Sequence, residues 1–208
     1  MISYLPELYP DELVYSWFCR LYIHGGYLTH KAALADLFEK RSCNPSKEFI
    51  GYLNAEAKRV ISKVIPINKL VTNHTMFPQY ARFFLSDEKL AALRLLGEGS
   101  TDPHHLLTIL VRNPSSEWMR YCPLCVKEDR EKYGETYWHC SHQIRNVNLC
   151  PKHKCYLCDS SKLGKVPEQR PLYLSEGNLI LKIDTAIKIG YIFVKALCIT
   201  TSTSGLHI

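Results

Sequence analysis

Cys122-Pro123-Leu124-Cys125 and Cys150-Pro151-Lys152-His153 place two tight pairs of metal-type ligands on either side of 24 intervening residues. Closed structural zinc sites are built this way: a CxxC pair brings two thiolates onto one reverse turn, and a CxxH pair brings a third thiolate and an imidazole. Four protein ligands leave no position for water, so the ion acts as a staple, and its binding energy becomes folding energy for a segment too short to stand on its own burial. One Zn2+ site on Cys122, Cys125, Cys150 and His153 is expected.

The plainer reading of the cysteines is a disulfide framework, since six of the nine lie between residues 122 and 158. The first residues, Met1-Ile2-Ser3-Tyr4-Leu5-Pro6, carry no basic n-region or apolar h-region, so no secretory signal is visible and a reducing cytoplasm is expected. The odd count also leaves at least one thiol unpaired. A second tetrahedral set from Cys140, His142, Cys155 and Cys158 stays open as an alternative. So does a supporting role for His139 or His142, packed beside the site or orienting a ligand through its other ring nitrogen.

The chain of 208 residues, 46% hydrophobic, is long enough for one core plus a smaller module. Its most apolar stretch, Ile183 to Ile199, is interrupted by Asp184, Lys188 and Lys195, so no membrane segment is expected. A formal charge of +6 is a mild bias toward a polyanionic partner. Basic residues cluster at Lys58-Arg59 with Lys63, and around the ligands at Arg120, Lys127, Arg130, Lys132, Arg145, Lys152 and Lys154. Solvated faces account for such clusters equally well.

The elements that must position these residues read as mainly α. Asp11 is a candidate cap for a helix from Glu12 to about Ile23, with Leu13, Val14, Trp17, Phe18 and Leu21 at helical spacing, stopped by Gly25-Gly26. Thr29 caps a second helix through Ala33, Leu34, Leu37 and Phe38, giving a helix-turn-helix-like hairpin. A third helix is expected over 46–64, ended by Pro66. Two more are expected behind Ser86 (Leu90, Leu93, Leu96) and Asp102 (Leu106, Leu107, Leu110), with Thr75 to Tyr80 as an aromatic loop between. The expected organisation is a helical part over 1–115, a zinc-finger module over 116–160 and a C-terminal segment over 161–208, with strand-like alternation from Leu172 to Ile183. Trp17, Phe77, Tyr80, Tyr137 and Trp138 are expected to be core residues.

Several of these segments together resemble the TniQ/TnsD family. They are Leu5-Pro6-Glu7-Leu8-Tyr9-Pro10-Asp11-Glu12-Leu13-Val14-Tyr15-Ser16-Trp17, His74-Thr75-Met76-Phe77-Pro78-Gln79-Tyr80 and Arg120-Tyr121-Cys122-Pro123-Leu124-Cys125. Tyr133 to His139, His142-Gln143 and Cys150-Pro151-Lys152-His153 complete the set. The resemblance implies a target-selection protein of bacterial transposons without chemistry of its own. Such a protein marks an insertion site on DNA or on an RNA-guided CRISPR effector complex and recruits a TnsC-like AAA+ ATPase, which engages the transposase. Members are usually longer, so the resemblance implies a short member or part of a longer one.

Within that reading, Thr29, His30 and Lys31 at the start of the second helix are the candidates for reaching base edges. Lys127, Arg130, Lys152 and Lys154 are candidates for phosphate or a partner protein. The rivals are a metal-dependent nuclease of the His-metal finger type, drawing on His139, His142, Asn146 and His153, and a zinc-stapled module that bridges proteins without touching DNA. The nuclease is disfavoured because no paired carboxylates beside a second metal, Ser-His-Asp set or P-loop is visible.

Overall fold

Eight consecutive residues, Val14 to Leu21, are buried, so the first helix, α1 (Val14–His24), is wrapped on every side along most of its length. A computed structural model describes residues 2–39, 49–98 and 119–159 of the chain. Helix α1 is followed by α2 (His30–Leu37), α3 (Ala55–Ser62), α4 (Ile67–His74), α5 (Phe77–Ala81) and α6 (Ser86–Glu98), with α2 packed between α1 and α3, and α4 against α3, α5 and α6. Ala33, Leu34 and Leu37 of α2, Ala57 and Ile61 of α3, Leu70 and Val71 of α4 and Phe77 and Ala81 of α5 share one core cluster with the buried residues of α1. The aromatic residues expected inside, Trp17, Phe77, Tyr80, Tyr137 and Trp138, are all buried.

The hairpin of α1 and α2 forms as the glycines and Thr29 dictate. Gly25 caps α1 through an N–H to Leu21 O at 2.8 Å, and Gly26 takes φ +72°, which glycine adopts without a Cβ penalty. Thr29 Oγ1 then accepts from Ala32 N and starts α2.

Four expectations need correction. Asp11 does not cap α1: the helix begins at Val14, and the Asp11 carboxylate turns instead to Ser141 N and the Ser141 hydroxyl. Helix α3 begins at Ala55, because Asn54 Oδ1 accepts from Ala57 N at 2.8 Å, while Leu53 forms a bridge with Phe38. The expected aromatic loop is helix α5: Pro78 falls in its first turn, where a missing N–H costs nothing, and Thr75 Oγ1 accepts from Phe77 N at 3.1 Å. Helix α4 was hidden because Pro66 reads as a stop, yet its carbonyl accepts from Leu70 N and it serves as the N-cap. Within α6, Ala92 and Leu96 are buried, whereas Leu90 is exposed. The helix expected behind Asp102, the strand-like stretch from Leu172 and the 161–208 segment lie outside the described residues.

The second part begins with strand β1 (Arg120–Tyr121), which pairs antiparallel with β2 (Cys158–Asp159) in the register Arg120↔Asp159, Tyr121↔Cys158. Helix α7 (Pro123–Tyr133) follows at once and is closed by Gly134 at φ +78°. Leu13 N donates to Trp138 O and Cys140 N donates to Asp11 O, both at 2.7 Å, so residues 11–13 run beside 138–140 as a short antiparallel bridge. Beneath it, Arg20 donates to Glu12 (2.9 Å) and Glu135 (2.6 Å), and its guanidinium lies 3.7 Å from the centre of the Tyr9 ring. Among the described residues no helix is long and apolar enough to cross a membrane.

Candidate metal centre

Cys122 follows β1 directly and caps α7. Its sulfur accepts from Cys125 N (3.5 Å), and Pro123 at the first helical position gives up no hydrogen bond. The helix then carries Cys125 one turn further on. The second knuckle has the same construction: His153 N donates to the Cys150 sulfur (3.4 Å), Lys154 N to Cys150 O (2.9 Å), and Lys154 takes φ +57° to turn the chain back. Cys150 N in turn donates to Cys155 O (2.8 Å).

The knuckles converge. Nδ1 of His153 lies 3.4, 3.3 and 3.7 Å from the sulfurs of Cys122, Cys125 and Cys150, and the Cys125 and Cys150 sulfurs are 3.7 Å apart. A tetrahedron with bonds of about 2.3 Å to sulfur has edges of roughly 3.7 Å, so these separations suit one small ion. The three cysteines are buried, and all four ligand atoms lie within 4.8 Å of one another. Three thiols and an imidazole form the donor set of a closed site, and the group could hold one metal ion. Bound there, an ion would convert the thiols to thiolates and cross-link the β1–α7 corner to the 150–155 loop.

Within the cluster a hydrogen bond from the Cys125 thiol lowers Cys122, and Cys125 is raised in return. Burial opposes protonation of His153, but hydrogen bonds to Glu128 and Cys122 raise it overall. Glu128 was not singled out by sequence. It sits three residues after Cys125 on α7, so the helical period places both on one face, and its Oε1 meets His153 Nε2 at 3.0 Å.

Comparison with known proteins settles the family. The TniQ family model matches residues 3–157, which takes in the helical part and both knuckles. The chain belongs to the TniQ family. A relative, the Transposon Tn7 transposition protein TnsD of Escherichia coli, is 28% identical over 151 residues, covering 71% of this chain and 30% of that protein. The chain thus spans under a third of the length of this relative.

The remaining predicted residues of this TniQ chain divide into two places. Thr29 and Lys31 are exposed and His30 half-buried at the start of α2. Lys127 and Arg130 lie on α7, and Lys152 and Lys154 lie in the second knuckle. Lys127 leans toward Glu131 at 3.7 Å, Lys152 is paired with Glu128, and Lys154 is exposed. The alternative second set does not assemble: among the described residues one group of donors converges. The Cys155 sulfur lies 3.3 Å from that of Cys122, at the edge of the first site. His142 likewise faces the first site, Cys158 pairs in register with Tyr121, and Cys140 belongs to the main core.

His139 is held from both ring nitrogens, Nε2 by Asp129 at 2.9 Å and Nδ1 toward Asp11 at 3.5 Å. Burial opposes its charge, but the two carboxylates win and raise it to about 9. An imidazole clamped by two carboxylates is held toward its charged form.

Proposed function

We propose that this chain is the metal-stapled core of a transposition target-selection adaptor, acting in the bacterial cytoplasm without chemistry of its own. The observation that carries the reading is a family match over residues 3–157, which takes in the α1–α2 hairpin and the converging Cys122, Cys125, Cys150 and His153 set. The name of the TnsD relative supplies the process, transposition.

In this reading one Zn2+ occupies the four-ligand set and fixes the surface around it. Thr29, His30 and Lys31 stand at the amino end of α2, where exposed amides and side chains can meet a duplex. Lys127, Arg130 and Lys154 offer charge to phosphate or to an acidic partner surface. The adaptor is bound to its insertion site directly or through an RNA-guided CRISPR effector, and presents a face to a TnsC-like AAA+ regulator of the transposase.

The test is fluorescence-anisotropy binding of the zinc-loaded protein to a duplex from the native insertion site and to a scrambled duplex, across a salt series. Preference for the native site makes the chain itself the reader. Sequence-blind binding that falls roughly tenfold or more between low and physiological salt assigns it the phosphate contacts alone. Absence of binding at low salt, together with retention on an AAA+ regulator column, assigns it to protein bridging; absence of both removes the adaptor reading.

A further inference from the structure

His142 is almost fully buried, at 2% exposure, and its Nε2 has sulfur neighbours: Cys150 at 3.5 Å and Cys125 at 3.7 Å. Its Nδ1 is buried without a hydrogen-bond partner among the described residues. A buried imidazole satisfied on one side alone is a cost to the fold, so the contact on the other side must be what the residue contributes. The ring is held in place from above by His139, 4.6 Å between centroids, and rides on the short 3-10 turn Ser141–Gln143.

The two knuckles explain why the contact is needed. Backbone N–H groups serve two of the three sulfurs, Cys125 N donating to Cys122 and His153 N to Cys150. Neither knuckle turns an N–H onto Cys125 itself. A metal-bound thiolate carries no proton and can only accept, so between His142 and these sulfurs the ring nitrogen must be the donor. His153 meets all three sulfurs, whereas His142 sits over the Cys125–Cys150 edge alone. The fourth ligand is therefore His153, and His142 has a different task.

We propose that His142 is a positioning residue of the metal centre, donating its Nε2–H across the sulfurs of Cys125 and Cys150 and holding the electron density that an ion must share. This rests on the reading of the four-ligand set as a metal site. A donor to thiolate stabilises its lone pairs, which slows loss of the ion and raises the energy at which sulfur gives charge to the metal.

The experiment uses the full chain loaded with zinc or with Co2+. His142→Phe and His142→Met remove the donor at similar bulk, while His142→Gln keeps an N–H near the Nε2 position. The Phe and Met variants should lose zinc to a chelating dye about ten- to a hundredfold faster than the parent, the range for partners of metal ligands. Their sulfur-to-cobalt charge-transfer band should move to lower energy, with d–d bands still tetrahedral, and the Gln variant should stay close to the parent in both. If the Phe variant does not fold, the Met and Gln pair decides. A parent-like band and release rate in the donor-less variants, or a Gln variant as impaired as Met, overturns the proposal. A parent that takes up neither ion removes the metal reading itself, a separate result from a parent that binds and variants that do not differ.

Discussion

Glu128 Oε1 meets His153 Nε2 at 3.0 Å, directly behind the ring whose Nδ1 faces three cysteine sulfurs. The carboxylate fixes the tautomer: with Nε2 carrying the proton, Nδ1 offers its lone pair to the site. Lys152 pairs with the same carboxylate and steadies it. Glu128→Ala should therefore weaken zinc affinity by roughly ten- to a hundredfold while leaving secondary structure intact. Competition against a chelating dye reads this directly. Unchanged affinity would show that the ring is oriented by its own knuckle.

The ligand set itself is tested by contrasting two neighbours. Cys150 is buried and belongs to the converging donor group, whereas Cys155, half-buried, stands outside that group with its sulfur beside that of Cys122. Cys150→Ser should lose the ion and unfold the described residues from 119 to 159, because removing one of four bonds removes folding energy. Cys155→Ser should keep one zinc per chain. Metal analysis and amide-exchange protection across this segment check both. Full stoichiometry in Cys150→Ser would mean that Cys155 or His142 had taken its place.

Much of this arrangement is legible in the sequence, and the failures have physical causes. The knuckles are legible because their ligands are close in the chain and a turn brings them together without help from distant residues. Thr29 was legible because a side-chain cap followed by an apolar period is a local code. Asp11 carries the same local code and does something else, since the partners that claim it, Ser141 and His139, come 130 and 128 residues later. The pairing of residues 11–13 with 138–140, and the burial of Arg20 beside Glu12 and Glu135, are long-range and leave no periodicity to read. Helix α5 was concealed by Pro78, which interrupts a helix or opens one depending on a boundary that Thr75 sets.

His139 predicts a pH dependence. Its value in the fold is about 9 against an ordinary 6.5, so the stability it contributes is complete below pH 6.5 and drains away as pH rises through 9. The nominal size of that loss is about 3 kcal/mol. Glu12, which burial pushes up against the pull of Arg20, likewise costs stability as pH rises. Uptake of a metal ion at the four-ligand set would run the other way, since thiols must deprotonate. Taking the difference between the parent and His139→Gln in urea unfolding at each pH cancels both. The difference should be largest near pH 6 and should shrink toward zero by pH 10. A pH-independent difference would mean that His139 acts through packing between Tyr137 and His142 alone.

Arg20 and Glu12 predict the largest single loss of stability outside the metal site. Both are almost wholly buried, at 2% and 0% exposure, and the guanidinium also reaches Glu135 and Glu7 O. Breaking a buried pair from one side leaves the other charge uncompensated, which costs about 3–5 kcal/mol. Arg20→Met should lower the thermal midpoint by about 10 °C, at a few degrees per kcal/mol for a chain of this size. Adding Glu12→Gln to it should recover part of the loss, because the stranded carboxylate is then gone and Gln can still accept from Tyr9 N, as Glu12 Oε2 does at 3.0 Å. Differential scanning calorimetry of the parent, both single variants and the double variant closes the cycle. A double variant that loses the sum of the two single losses would mean that Arg20 holds the fold chiefly through Glu135 and the Tyr9 ring, and that its bond to Glu12 is incidental.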